Sequence, residues 1–79
     1  LIKYGLVNEN ILKNPSLSIQ AKALYAVLCT YADTNRKCYP SINTLSNNLN
    51  KSKIQIRRYL RELKKNNYLK KEKNIFILL

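Results

Sequence analysis

The apolar positions of this chain change their period several times, and each change marks a boundary. Ala21, Leu24, Leu28 and Tyr31 recur at intervals of three and four, flanked by Tyr25, Val27 and Ala32. This predicts a helix over residues 19–32, with Ser18 as its N-cap. Residues 33–37 are polar without a period and read as a loop. Ile42, Leu45 and Leu49 mark the buried side of a two-turn helix that opens at Pro40-Ser41, with Ser41 as cap. Asn50 follows where the chain must turn, and Asn is the best residue after Gly for a left-handed backbone. Ser52 and Gln55 then form a capping-box pattern, Ser at the cap and Gln three residues on. It opens a third helix that runs to about Asn66. Ile56, Tyr59, Leu60 and Leu63 share one side of that helix, and Ile54, Arg58, Arg61 and Lys65 lie opposite, with Arg57 and Lys64 beside them.

The ends of the chain are patterned more weakly. Residues 3–7 read as a short strand, and Asn8 as the cap of one helical turn over 9–13 that Asn14-Pro15 ends. Residues 68–72 and 75–79 are rich in strand formers and are separated by Lys73-Asn74, which predicts a tight hairpin. The last strand is apolar at almost every position. One face is expected on the helices and the other against a neighbour or further chain. Tyr25, Tyr31, Tyr39, Tyr59 and Phe76 fall in spacings that assign them to the core, with no exposed aromatic ladder.

Charge changes this picture more than composition does. Fifteen Lys and Arg face four acids in 79 residues, a net charge of +11. Residues 1–35 carry only +1 of it, and residues 36–79 carry +10, with Glu62 and Glu72 the only acids there. Such asymmetry points to a polyanion contacted by the second half. The bland alternative is a solvated, lysine-rich surface. Hydrophobic residues make up 46% of the chain, against wholesale disorder. The length allows one domain, residues 1–79, and the start at Leu1 suggests a piece of a longer protein. There is no histidine, the only glycine is Gly5, and no acid pair has catalytic spacing, so no enzyme, cofactor or metal site is expected. Cys29 and Cys38 form no metal pattern and read as reduced thiols of a cytosolic protein. No apolar run is long enough to span a bilayer, and the outer face of residues 53–66 lacks the bulky apolar anchors of a membrane-surface helix.

The order of elements is helix, loop, short helix, tight turn, longer basic helix, hairpin. Two helices about three residues apart, the second anchored on one side and cationic on the other, make a helix-turn-helix unit, and the hairpin adds a wing. The expected fold is therefore mainly α with a small β-hairpin, a winged helix-turn-helix of three helices plus wing. The stretches Leu17 to Tyr25, Cys38 to Leu45 and Ser52 to Leu63, the last with Arg57-Arg58-Tyr59-Leu60, carry a resemblance over residues 11–72. They resemble the winged helix-turn-helix domains at the N-termini of phage and plasmid replication proteins. Asn50 and Asn67 stand where that family often has a small residue or Gly, and Asn keeps the backbone geometry available. The resemblance implies binding to double-stranded DNA at a replication origin, in a bacterial cytoplasm, associated with nucleoid or plasmid. Related domains serve as transfer accessory factors and transcriptional repressors, and some winged helices bind proteins instead. A homodimer or tandem binding on repeated sites is a further expectation, since one small module offers limited area.

Arg57, Arg58 and Arg61 are the first candidates for DNA contact, through guanine edges or phosphates; a solvated helix face paired with Glu62 is the alternative. Lys53 and Gln55 sit in the first turn of the helix, where Gln55 either reads adenine or completes the capping box. Ile54 either touches a thymine methyl or covers part of the preceding helix. Ser41 and Ser52 cap helices whose N-termini can take phosphate. Asn43, Thr44, Lys51 and Lys65 lie within reach of the DNA backbone. Lys71 and Lys73, with Lys70, belong to the wing; their alternative role is to keep an edge strand from aggregating.

Overall fold

The computed structural model describes Val7 and residues 9–79. The strand expected at residues 3–7 and the cap expected at Asn8 therefore lie outside the described residues, apart from Val7. Along the described chain run α1 (Glu9–Leu12), α2 (Ile19–Tyr31), β1 (Lys37–Cys38), α3 (Ile42–Leu49), α4 (Lys53–Lys65), β2 (Leu69–Glu72) and β3 (Ile75–Leu78). The fold is mainly helical with a small antiparallel sheet, as the pattern predicts.

The helices begin and end where local chemistry dictates. The Ser18 hydroxyl accepts from the Ala21 amide at 3.1 Å and starts α2. Asn14 turns the chain into it, accepting from the Ser16 amide at 2.8 Å. The α2 stripe of Ala21, Leu24, Tyr25, Leu28 and Cys29 is buried. Tyr31, assigned to the core from its spacing, is instead 37% exposed. It is the last residue of the helix and lies at the rim, where its hydroxyl accepts from the Asn48 side-chain amide at 2.7 Å.

Asn50 and Asn67 end α3 and α4 in the same way. Asn50 has φ 52° and Asn67 φ 63°, both left-handed. After α3, the Lys51 amide donates to the Ser46 carbonyl at 3.1 Å and the Asn50 amide to that of Asn47 at 3.4 Å. After α4, the Tyr68 amide donates to the Leu63 carbonyl and the Asn67 amide to that of Lys64, both at 3.0 Å. These are paired Schellman closures, each satisfying carbonyls that the helix leaves without a partner. The first leaves three residues, 50–52, between α3 and α4.

The sheet differs from the expected lone hairpin. Its order is β1-β3-β2. Lys37 pairs with Ile77 and Cys38 with Phe76, so the segment read as a loop ends in a short strand. The Asp33 carboxylate accepts from the amides of Asn35 at 2.8 Å and Lys37 at 3.0 Å, folding residues 33–37 into a tight turn that delivers β1. β3 is thus the central strand, which accounts for its near-continuous apolar run. Phe76 and Leu78 are buried, and Ile75 and Ile77 are half-buried. No second chain is needed to explain them. In the hairpin Glu72 pairs with Ile75, leaving Lys73-Asn74 as the turn, with Lys73 at φ 53°.

One core joins all these elements: Ile11 from α1, the α2 stripe, Leu45 from α3, Ile56, Tyr59, Leu60 and Leu63 from α4, and Cys38, Leu69, Phe76 and Leu78 from the sheet. Tyr25 lies at its centre, edge-on to Tyr68 with ring centroids 6.4 Å apart, and its hydroxyl accepts from the Arg36 guanidinium at 3.0 Å. Both cysteines are free and buried. Burial pushes the Cys38 thiol up to about 11, reinforced by the nearby Cys29 and Asp33 and opposed by Arg36.

Two tests follow from this packing. Asn50→Val should cost about 1 kcal/mol or more in urea unfolding because a β-branched residue resists φ above zero, whereas Asn50→Gly should be close to neutral. The folded Cys38 thiol holds its proton more tightly than the unfolded chain, whose thiols titrate near about 8.5. Its contribution to stability is complete below that value and is lost as pH rises towards about 11. The stability difference between the wild type and Cys38→Ala, measured by urea midpoints, should therefore hold constant up to pH ~8 and narrow above pH ~9.

Candidate nucleic-acid interface

α4 is held on one side only. Ile56, Tyr59, Leu60 and Leu63 are buried, while Lys53, Arg57, Arg58, Arg61, Lys64 and Lys65 are all exposed. The single acid of the helix, Glu62, does not pair with any of these cations. Its carboxylate accepts from the Ser18 amide at 2.5 Å and the Ser18 hydroxyl at 2.9 Å. A carboxylate at the N-terminus of α2 is favoured by the helix dipole, and it ties α4 to α2. The ion pairs among the described residues are Lys13–Glu9, at the opposite end of the chain, and Lys70–Glu72 in the wing. The cations of α4 therefore have no carboxylate partner among the described residues, and the expected Arg–Glu62 pairing is replaced by the Ser18–Glu62 tie.

Strand geometry sorts the wing lysines. Lys70 and Glu72 share one face of β2 and pair at 3.1 Å. Lys71 shares the other face with buried Leu69, as alternation requires. Its ammonium lies 5.6 Å from the Phe76 ring centroid. Lys71 thereby joins Arg57, Arg61 and Lys64 around a cleft of about 510 Å³ between α4 and the wing, floored by Ile42 and Leu60. Lys64 was not among the site residues expected from sequence. Its signal was present: 57, 61 and 64 follow the i, i+4, i+7 spacing of one helix flank.

The other expected residues fall around this cleft rather than in it. Arg58 is one residue on from Arg57, turned about 100° around α4, and does not line the cleft; Lys65 lies on the outer face. Ile54 is 70% exposed in the first turn, so it does not serve to cover α3. Gln55 completes the capping box, its Oε1 accepting from the Ser52 amide at 3.0 Å and lying 3.2 Å from the Ser52 hydroxyl. Lys53 and Ser52 are exposed at that end, and Lys51 is exposed in the turn. Ser41 caps α3, accepting from the Thr44 amide at 3.1 Å, with the two hydroxyl oxygens 2.9 Å apart. Asn43 is exposed and Thr44 half-buried. Lys73 is exposed at the hairpin turn. Tyr39, expected in the core, is 61% exposed in the link between β1 and α3.

α3 and α4 are joined by a three-residue turn, and α4 is cationic and flanked by the sheet. A family model described as a helix-turn-helix domain matches residues 16–69, from just before α2 to the start of β2. The chain belongs to the helix-turn-helix family. No curated protein and no solved structure matches it. A helix-turn-helix unit is two helices joined by a tight turn, and α3, the turn at residues 50–52 and α4 have that arrangement. The sheet gives this helix-turn-helix domain its winged form, and the family implies DNA as partner. No helix among the described residues is long and apolar enough to cross a membrane, and no cluster of His, Cys, Asp and Glu among them could hold a metal ion.

The Ser18–Glu62 tie can be tested on this geometry. Glu62→Ala leaves the Ser18 amide without its partner and should lower stability by about 1–3 kcal/mol, read from urea unfolding, while Glu72→Ala, which removes only an exposed pair, should change it by less than about 1 kcal/mol.

Proposed function

We propose that this domain binds double-stranded DNA sequence-specifically, laying the exposed face of α4 in the major groove and the wing along the adjacent backbone. The observation that carries the reading is a helix whose six cations have no carboxylate partner among the described residues and of which three, with Lys71, line one cleft. Keeping like charges together without counter-charge disfavours the free protein, and a polyanion removes that penalty. Winged helices that bind proteins usually lack a cationic third helix.

Residues divide by reach. Ile54, Arg58, Arg61 and Lys65 cover the outermost face of α4 and are assigned to the base edges and to thymine methyls in the groove. Lys53 extends that face at the N-terminal turn. Gln55 is committed to the capping box, so its part in base reading is secondary. Arg57, Lys64 and Lys71 are assigned to a phosphate strand in the cleft. Ser41, Asn43, Thr44, Lys51 and Ser52 flank the groove at the α3 and α4 N-termini, where backbone phosphates lie. Lys73 extends the wing towards the minor groove. The resemblance to replication-protein domains supports a plasmid or phage origin as the target, bound by paired or tandem copies on repeated sequences.

Arg58→Ala combined with Arg61→Ala should weaken duplex binding at least about tenfold while leaving the thermal melt unchanged, and the logarithm of affinity should fall with that of salt by a slope of roughly 4 to 7. A folded double variant that binds like the wild type would defeat the assignment of this face. Footprinting on the element carrying the gene distinguishes the biological settings. Protection of short repeats at an origin is the expected result; protection confined to a transfer origin or to the gene's own promoter would replace the replication role.

A further inference from the structure

A second cleft adjoins the first. It has a volume of about 370 Å³ and is lined by Tyr39, Pro40, Lys71, Asn74 and Phe76, together with the start of α3. Ile42 and Lys71 line both clefts, so the two adjoin at these side chains. The Phe76 ring, 5.6 Å from the Lys71 ammonium, holds it between the two clefts.

Tyr39 is the unexplained residue of the second cleft. Its spacing suits the core, yet its ring is 61% exposed. It lies outside the core cluster, and its hydroxyl has no hydrogen-bond partner among the described residues. Nothing in the fold requires an aromatic ring there. No carboxylate lines the cleft it borders, and four lining residues carry donor groups: the hydroxyls of Tyr39 and Ser41, the Asn74 amide and the Lys71 ammonium. Between them lie the apolar surfaces of Pro40 and Phe76. Donors without acids suit an anion, and an apolar wall beside them suits a sugar ring.

We propose that this second cleft holds the sugar–phosphate unit next to the one seated between α4 and the wing, with the Tyr39 hydroxyl donating to its phosphate. The inference rests on the reading that α4 docks on duplex DNA. It adds a contact outside the helix-turn-helix unit, made by the link that precedes α3. Being a backbone contact, it acts on every sequence alike.

The test compares wild type, Tyr39→Phe, Tyr39→Ala and Lys64→Ala for binding to a short random-sequence duplex, by fluorescence anisotropy over a range of salt. Tyr39→Phe should weaken binding about threefold and Tyr39→Ala about tenfold, the scale of one hydrogen bond and its packing. Neither should change the salt slope, because no charge is removed, whereas Lys64→Ala should reduce it by about one. Both tyrosine variants should melt at the wild-type temperature, since the ring is outside the core. If both tyrosine variants bind like wild type while Lys64→Ala weakens binding, the Tyr39 contact is overturned and the α4 reading stands. If Tyr39→Ala weakens binding to single-stranded DNA more than to duplex, the cleft stacks a base instead, and the inference is overturned. If the wild type does not bind duplex at all, both fall together.

Discussion

Four side chains on one side of α4, namely Ile56, Tyr59, Leu60 and Leu63, hold everything that the exposed side does. Each is buried in the common core with α2, α3 and the sheet. A side chain of this kind contributes about 1.5–3 kcal/mol when removed from water. Against that stands the mutual repulsion of six exposed cations on the same thirteen-residue helix. The helix therefore cannot owe its position to charge. Its anchoring is apolar on one side, with a pair of charge-assisted hydrogen bonds where Glu62 meets the N-terminus of α2. The placement of that one acid matters: had it faced outward, it would have offset one of the six positive charges on the exposed surface.

The wing follows a similar division. Lys70 is cancelled by Glu72 on one face of β2, while Lys71 on the other face remains uncompensated and turned towards α4. A strand of four residues thus separates a solvated ion pair from an uncompensated cation simply by alternation. The positive surface is continuous from α4 to the wing without the whole hairpin being basic.

Most of this was legible from the chain. Helix starts at Ser18, Ser41 and Ser52, the stops at Asn50 and Asn67, the buried stripe of α4 and the hairpin all depend on neighbours within a few residues, and pattern reading sees such neighbours. What escaped it depends on distant partners. β1 is two residues long and exists only because β3 lies beside it, 38 residues further on. Glu62 looked like a partner for Arg because the hydroxyl it binds is 44 residues away. Tyr31 and Tyr39 have core-like spacing, but they lie at the end of α2 and between β1 and α3, where the core has run out. Lys64 was passed over because the face of α4 was drawn opposite its buried stripe, whereas the wing shifts the cationic cleft to one flank.

The pairing of β1 with β3 has a consequence for how the domain comes together. The strand before the helix-turn-helix unit and the strand at the centre of the sheet are bonded to each other, so α3 and α4 lie inside a closed loop of chain. Such a clasp raises the sequence separation of the defining contacts, and the final closure must wait for the last strand to be made. The wing is accordingly no detachable appendage. β3 supplies Phe76 and Leu78 to the core, and its Phe76 carbonyl accepts from the buried Cys38 thiol at 3.6 Å. Grafting a different wing onto this scaffold would have to preserve β3 and Leu69 and vary only the exposed residues of β2 and the turn, which are the parts that carry the charge.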